Sequence, residues 1–310
     1  MRVAIVGTGG VGGGYGAVLA AAGADVTFIA RGAHLAAMRE HGLRLESPRG
    51  DIHLVPTGAT DDPASVGTVD IVLFCVKLWD VESAGAAIRP MVGSHTAVIP
   101  LQNGIDAAER LAPILGEDRV MGGVASISAT IAAPGVIRQT GTLLRMVFGE
   151  FDGSRSPRAE AFAALCGKAG IDAVLSTTIR SDLWMKFILL ASNAGIMSLA
   201  RLPVGFLRDD PDIAPWFTTA YEEVAAVGRA AGVALPDDAV ARTLEFNRKA
   251  PPQLIPSMAV DLMRGNRIEL PWLSGKVVAL GRSLGVPTPL HAFMYAALKP
   301  YTLGTPVLET

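Results

Sequence analysis

The residues near the start of the chain that could bind a ligand are glycines, in the stretch VAIVGTGGVG. Gly7, Gly9 and Gly12 form the pattern G-x-G-x-x-G directly after a predicted strand and at the opening of a predicted helix. The first glycine allows a tight turn, the second lets a pyrophosphate approach the backbone, and the third lets the helix pack closely on the strand. Free N–H groups at the helix start attract the anion.

We therefore predict a dinucleotide site in a glycine-rich loop, residues 7–12. The alternative is a glycine-rich turn that binds no ligand. The candidate cofactor-binding residues of the loop are Gly7, Thr8, Gly9, Gly10, Val11 and Gly12.

The residue after the second predicted strand indicates which dinucleotide binds. An NAD site usually ends this strand with Asp or Glu for the ribose hydroxyls. Here VTFIA is followed by Arg31, and the nearest acid, Asp25, lies at the other end of the strand. A guanidinium matches a 2′-phosphate in charge and geometry, so Arg31 favours NADP(H). The alternative is an ordinary solvated arginine.

Two further polar residues follow predicted strands, where ligands bind in open α/β sheets. Lys77 follows VDIVLFCV, and Asn103 lies in LQNG after AVIP. Lys77 could join Arg31 on the phosphate or simply extend into solvent. Asn103 with Gly104 is also an ordinary turn pair. Position, rather than residue type, makes both of them candidates.

A lysine lies near the start of the apolar stretch LWMKFILLASNAGIMSLA, residues 183–200. The stretch is short for a membrane span and is interrupted by Lys186, Asn193 and Gly195, so we interpret it as a buried helix. Lys186 is either a solvated residue at the rim of that helix or a group that takes part in chemistry.

The elements that position these residues fall into two groups. Over residues 1–177, apolar strands alternate with helical stretches, which indicates an α/β domain with a doubly wound parallel sheet of the Rossmann type. Within it, Pro48–Gly50 mark the turn of a predicted hairpin, and VIRQTG and TLLRMVFGE are two predicted strands. Residues 178–310 show only helical periods, so we predict an all-helical second domain.

Composition narrows the class of protein. The chain has 310 residues, of which half are hydrophobic and 18% are charged, and its net charge of −2 argues against a nucleic-acid surface. The glycine cluster breaks the apolar run that a secretory signal needs. Cys75 and Cys166 have no metal-like neighbourhood and are predicted to be buried free thiols of a reducing compartment. We expect a cytoplasmic protein without a metal site or membrane association, in which apolar helices permit a homodimer.

Several short motifs together make the sequence resemble the ketopantoate reductase (2-dehydropantoate 2-reductase) family. They run in order along nearly the whole chain and are GTGGVG at 7–12, Arg31, VKLWD at 76–80, LQNG at 101–104, LWMKF, PSM, NRIEL and LGVPTP. The resemblance implies a Rossmann domain followed by a helical domain. It also implies that a 2-oxo acid is reduced to a 2-hydroxy acid with NADPH.

The resemblance assigns cofactor roles by matching position. Arg31 and Lys77 would hold the adenosine 2′-phosphate. Asn103 would lie by the nicotinamide and the substrate, and the backbone around Ala129 would touch the nicotinamide. Glu269, in NRIEL, matches a glutamate near the cofactor. Without the resemblance, Glu269 would be interpreted as a solvated charge.

The resemblance also assigns catalytic and substrate roles. Lys186 matches the proton-donating lysine, and Ser257, in PSM, matches a substrate-binding serine. Without the resemblance, Ser257 would be interpreted as a helix N-cap. The chemistry suits Lys186 independently, because hydride arriving at a ketone carbon leaves charge on the oxygen that must be stabilised and protonated. Apolar neighbours such as Phe187 would lower its pKa, and Glu269 nearby would oppose that shift.

The sequence departs from the family where substrate is held. The family has asparagines four and eight residues after the lysine and in the following loop, where this chain has Leu190, Ala194 and Val204. It often has Asp and Asn where Leu270 and Ser274 stand. The apolar wall of a binding site forms no hydrogen bond with a substrate hydroxyl and so does not select for it. We therefore predict that the reaction type is kept and that the substrate is less polar than ketopantoate, or at least different.

Asn193 is a candidate replacement for the missing amides. It lies seven residues beyond Lys186, almost two helical turns, and so shares its face. It could contact the substrate, or it could bond a backbone carbonyl in the packing of the helix.

Two other functions remain open. A nucleotide-sensing Rossmann protein would bind NADPH and regulate a partner without turnover, and the lost asparagines would fit it. A dehydrogenase with the same helical domain could act on a different alcohol or amino acid. Retention of Lys186 and Glu269 favours the 2-oxo-acid reductase.

Overall fold

A five-stranded parallel sheet is the centre of the first unit of the structure, a computed structural model that describes residues 1–306. Its order is β5-β2-β1-β6-β7, so the chain winds outward from β1 in both directions. Residues 3–6 of β1 are almost inaccessible to solvent, as the continuous apolar sequence predicts for a strand covered on both faces. The strands of this unit are β1 (Arg2–Val6), β2 (Asp25–Ile29), β3 (Leu43–Glu46), β4 (Ile52–Leu54), β5 (Ala59–Thr60), β6 (Val69–Phe74), β7 (Val92–Pro100), β8 (Gly122–Ala133), β9 (Val136–Gly149) and β10 (Asp172–Leu175).

A second sheet of this unit has the order β10-β9-β3-β4, with β8 paired to β9. The predicted hairpin is confirmed, because β3 and β4 pair antiparallel around residues 48–50. The prediction of two separate strands from VIRQTG and TLLRMVFGE is wrong. They form the single strand β9, because pairing with β8 resumes after residues 140–143 bulge out at Gly141, whose φ is +72°.

Helices cover the sheets and begin and end at residues that favour those positions. They are α1 (Gly10–Ala21), α2 (Gly32–His41), α3 (Val81–Ala87), α4 (Ala107–Leu115) and α5 (Pro157–Lys168). The hydroxyl of Ser156 accepts a hydrogen bond from the N–H of Ala159 at 3.3 Å and caps α5, whose first residue is proline. Gly42, at φ +83°, ends α2.

The described residues of the second unit form helices joined by turns and loops, with no strand among them. It comprises Asn103–Ile105 and the chain from Arg180 onward, whereas the first unit comprises Met1–Gln102 and Asp106–Ile179. The domain boundary predicted at residue 177 places the segment 103–105 in the first domain. In the structure, Ile105 packs against the core of the second unit. The helices are α6 (Ile179–Ala200), α7 (Ala214–Ala230), α8 (Ala239–Lys249), α9 (Ser257–Met263), α10 (Ser274–Leu284) and α11 (Pro289–Leu298).

α6 carries the apolar stretch in which Lys186 lies. It is the one helix of residues 1–306 that is long and apolar enough to cross a membrane by length and composition. However, 61% of its apolar window is buried inside the protein. Side chains such as Phe187, Ile188 and Met197 lie in the core of the second unit, as we predicted for a buried helix.

Candidate functional site

The glycine-rich loop is fixed to the end of the neighbouring strand. Gly7, at φ +92°, turns the chain as it leaves β1. The N–H groups of Gly7 and Thr8 both donate to the carbonyl of Ile29 at 3.2 Å, and the Thr8 hydroxyl donates to the same oxygen at 3.0 Å. Thr8 is therefore buried, and its side chain holds the loop rather than facing a ligand.

The loop leaves room for a pyrophosphate. A Cβ at Gly12 would lie 2.3 Å from the carbonyl oxygen of Gly7, so glycine is required for the loop and helix to approach this closely. A Cβ at Gly9 would meet no described protein atom within 4 Å. The first N–H groups of α1 have no acceptor within the helix, which is the arrangement that suits an anion. Val11, in contrast, packs partly against the core. These residues fit a dinucleotide.

Arg31 and Lys77 lie at the same edge of the sheet. Arg31 follows β2 at the start of α2, and Lys77 follows β6; these two strands flank β1. Both side chains are exposed. The Arg31 guanidinium has no hydrogen bond or ion pair with the described residues, whereas the Lys77 ammonium lies 5.6 Å from the centre of the Trp79 ring.

Gln102 holds the segment after β6 and was missed by the sequence analysis. Its amide nitrogen donates to the carbonyls of Phe74 and Val76, at 2.9 and 3.1 Å. Those carbonyls lie three residues and one residue before Lys77, so Gln102 fixes where that lysine leaves the sheet. Residue type at position 102 alone gave no signal of this, because the contact spans 26 residues or more.

Ala129 lies in β8 beside the start of α1. A Cβ at Gly10 would lie 1.9 Å from the carbonyl oxygen of Ala129, so the two backbones are in close contact. The structure therefore brings the Ala129 backbone next to the glycine-rich loop.

Lys186, Asn103 and Glu269 come together within the second unit. The Lys186 ammonium donates to the side-chain oxygen of Asn103 at 3.3 Å, and the Asn103 amide donates to a Glu269 carboxylate oxygen at 3.5 Å. The amide therefore links the cation to the anion. Three residues distant in sequence form one polar group.

Burial sets the electrostatics of this polar group. Desolvation lowers the pKa of Lys186 from its ordinary value to about 8, and the Glu269 carboxylate opposes that shift. Glu269 is only 4% exposed, so its interpretation as a solvated charge is wrong. A lysine with a pKa near neutrality is an efficient general acid, because it is protonated at working pH and releases its proton readily.

Ser257 is exposed at the first position of α9. Pro256 occupies the N-cap, and the Ser257 hydroxyl has no hydrogen-bond partner among residues 1–306. The interpretation of Ser257 as an N-cap is therefore wrong, which leaves the hydroxyl available to a ligand.

Asn193 lies in a buried network of side chains. Its oxygen accepts from the Tyr221 hydroxyl at 2.6 Å, and its nitrogen donates to the side-chain oxygen of Asn247 at 3.0 Å. The alternative that Asn193 bonds a backbone carbonyl is therefore wrong, since its partners are side chains. Both ends of the amide are engaged by the protein, so we do not carry Asn193 forward as a substrate group.

The residues that replace the family's asparagines are apolar in their surroundings as well as in type. Ala194 and Val204 are fully buried in the core of the second unit, and Leu190 is half-buried against it. The Ser274 hydroxyl is buried without a hydrogen-bond partner among the described residues, and Leu270 is fully buried.

Two models of one protein family match the chain. The model described as ketopantoate reductase PanE/ApbA matches residues 3–153, and the model of its C-terminal part matches residues 178–302. A 2-dehydropantoate 2-reductase of Mesorhizobium japonicum is 31% identical, over 93% of this chain and 94% of its own length. The chain belongs to the ketopantoate reductase family.

Solved structures agree with this assignment. A PanE/ApbA family ketopantoate reductase from Ralstonia eutropha JMP134 has a TM-score of 0.89 at 35% identity, over 97% of this chain and 98% of that one. A D-mandelate dehydrogenase solved with NADH and anilino(oxo)acetate has a TM-score of 0.89 at 20% identity, over 97% and 98%, and shows the shared fold alone.

The predicted fold, a Rossmann-type α/β domain followed by helices, is confirmed by these matches. Family membership makes the chain an oxidoreductase of the ketopantoate reductase type. Such an enzyme uses a nicotinamide cofactor and acts on a small-molecule 2-oxo acid.

Tyr221→Phe tests the structural role of Asn193. The variant leaves the Asn193 oxygen buried without its donor, so we expect the free energy of unfolding to fall by about 1–2 kcal/mol. Urea denaturation measures this. The matched control is Tyr295→Phe, because the hydroxyl of this partly buried residue has no hydrogen bond with residues 1–306 and its loss should cost almost nothing. Equal stability of the two variants would contradict the network.

Proposed function

We propose that this protein reduces a 2-oxo acid to a 2-hydroxy acid with NADPH, and that Lys186 donates the proton. The observation that supports this most directly is the contact of Lys186 with Asn103 and, through it, with Glu269. The lowered pKa of the lysine supports the same role.

Each member of this polar group has a distinct part in the reaction. The bound dinucleotide would supply a hydride to the carbonyl carbon of the substrate. Lys186 stabilises the charge that develops on the oxygen and then protonates it. The Asn103 oxygen orients the ammonium, and the Glu269 carboxylate keeps it charged despite burial.

The cofactor we propose is NADP(H). The glycine-rich loop would hold the pyrophosphate, with the Ala129 backbone beside it, and Arg31 and Lys77 would hold the 2′-phosphate. Arg31 supports this choice because it directly follows β2 and α2 begins after it. Its guanidinium is exposed and has no carboxylate partner among the described residues. A bidentate contact with a phosphate would satisfy it.

The substrate we propose is ketopantoate or a less polar 2-oxo acid. Ser257 offers one hydroxyl to the substrate, and Asn103 offers an amide. Leu190 stands where the family has an asparagine, and it offers no hydrogen bond to a substrate hydroxyl. If ketopantoate is the substrate, the enzyme belongs to pantothenate biosynthesis.

A cytoplasmic location and a homodimer remain proposals. Cys75 and Cys166 are free thiols, as a reducing compartment requires, although Cys75 is only partly buried. Burial raises the pKa of both thiols, so neither is poised as a nucleophile.

Lys186→Ala separates an enzyme from a nucleotide sensor. Loss of the proton donor should lower kcat by about 100-fold or more, while the dissociation constant for NADPH stays within about 3-fold. Stopped-flow absorbance and isothermal titration measure the two quantities. Lys249→Ala, at the exposed end of α8 in the same unit, is the control and should keep kcat. A Lys186→Ala enzyme with near-normal turnover would contradict the proposed donor.

Arg31→Ala tests the choice of cofactor. Losing a charge-assisted contact with the 2′-phosphate should weaken NADPH binding by about 10- to 100-fold and leave NADH binding nearly unchanged. Arg39→Ala is a matched control, since Arg39 lies on α2, the helix that follows Arg31, but pairs with Asp61 at 3.1 Å. An Arg31→Ala variant that weakens both dinucleotides equally would remove the argument for NADP(H).

A matched pair of 2-oxo acids tests the substrate. Ketopantoate and 3,3-dimethyl-2-oxobutanoate differ only by the hydroxyl of ketopantoate. With Leu190 in place of asparagine, kcat/KM for the compound without the hydroxyl should equal or exceed that for ketopantoate. Leu190→Asn should shift the ratio toward ketopantoate by about 10-fold. Ketopantoate preferred by orders of magnitude in the wild type would refute the less polar substrate.

A further inference from the structure

His34 connects α2 to a turn of the first unit, and its residue type gave no signal of this contact. It lies in the first turn of α2, three residues after Arg31, and is half-buried. Its Nδ1 accepts a hydrogen bond from the N–H of Gly135 at 3.0 Å. Gly135 forms the turn between β8 and β9, where its own carbonyl accepts from the N–H of Arg44 at 2.9 Å. The imidazole therefore ties α2 to that turn.

The accepted hydrogen bond determines the tautomer of His34. A nitrogen that accepts from an N–H carries no proton, so the neutral ring bears its hydrogen on Nε2. That nitrogen is buried and makes no hydrogen bond with residues 1–306. The backbone of Thr8 acts to raise the pKa of the ring. Desolvation has the larger effect and lowers the pKa of His34 below its ordinary value.

We propose that His34 is a positioning residue for the dinucleotide: its neutral ring holds α2, which follows Arg31, in register with the turn at Gly135. This inference rests on the proposed cofactor site and goes beyond it, because it requires no contact between His34 and the cofactor. Arg31 is the N-cap of α2, and β8, which carries Ala129 beside the glycine-rich loop, leads into the turn at Gly135. A shift of the ring would move both ends of the dinucleotide site.

Protonation breaks this arrangement. A second proton on Nδ1 turns an acceptor into a donor that faces the Gly135 N–H, so the hydrogen bond is lost. Loop residues 7–12 and turn residues 133–136 carry no ionisable side chain. Arg31 directly precedes α2, the ionisable residues of α2 besides His34 are Arg39, Glu40 and His41, and the charged residue of β3 before Glu46 is Arg44. The charge on His34 is therefore added next to Arg31 without a compensating anion from the loop or the turn.

The test is equilibrium binding of NADPH and NADH from about pH 5.5 to about pH 8, by isothermal titration of wild type, His34→Asn and His34→Ala. The side-chain oxygen of Asn can replace Nδ1 as the acceptor, and Asn does not titrate. We expect wild-type affinity for both dinucleotides to fall at the acid end, because the neutral ring is needed. His34→Asn should stay within about 3-fold of wild type at pH 8 and show no acid fall, and His34→Ala should bind about 10-fold more weakly throughout.

Hydrogen exchange at the Gly135 amide gives a second readout that does not involve the cofactor. Exchange should be slow in wild type and His34→Asn and faster in His34→Ala. If wild type and His34→Asn share one pH dependence, or if His34→Ala binds like wild type, the proposal is wrong. None of these measurements involves turnover, so failure here is distinct from failure of Lys186 as proton donor. Should His34→Ala not fold, the comparison of wild type with His34→Asn still decides.

Discussion

The proposed chemistry depends on keeping a lysine ammonium charged inside an apolar helix. Burial disfavours the charge, and the Glu269 carboxylate supports it through the Asn103 amide. The folded pKa of about 8 lies below the ordinary value, so below pH 8 the lysine is charged in both folded and unfolded chains. In that range the desolvated charge of Lys186 lowers the free energy of unfolding. The free energy of unfolding rises again as the pH rises from about 8 toward the pKa of the unfolded chain. A stability cost that coincides with the working pH is typical of a functional group.

In the first unit, backbone contacts rather than charges position the glycine-rich loop and the ends of the neighbouring strands. Gly12 lets the helix approach the loop, and Thr8 and Gln102 fasten the ends of neighbouring strands. These contacts place N–H groups and two cations at one edge of the sheet without a carboxylate that would compete for them at Arg31. Binding of a dinucleotide then needs little rearrangement of the loop.

The sequence was sufficient to predict elements whose signal is local. The glycine pattern, the alternating strands and the purely helical second part follow from short-range periodicity and turn residues, and the structure has all of them. It was not sufficient where partners are distant. The contacts of Asn193 with Tyr221 and Asn247 span 28 and 54 residues, and that of His34 with Gly135 spans 101. Helical spacing placed Asn193 on the face of Lys186 but gave no information about which neighbours would engage its amide.

The central claim is that Lys186 acts as an acid whose pKa is set by burial and by Glu269. The most direct measurement is the pH dependence of kcat/KM for 2-oxo acid reduction in wild type and Glu269→Gln, which reports groups of the free enzyme. Activity of the wild type should fall as the pH rises through about 8. In Glu269→Gln the fall should occur at lower pH, because desolvation remains while the supporting carboxylate is lost. A fall at the same pH in both enzymes, or no fall in the wild type, would contradict the account.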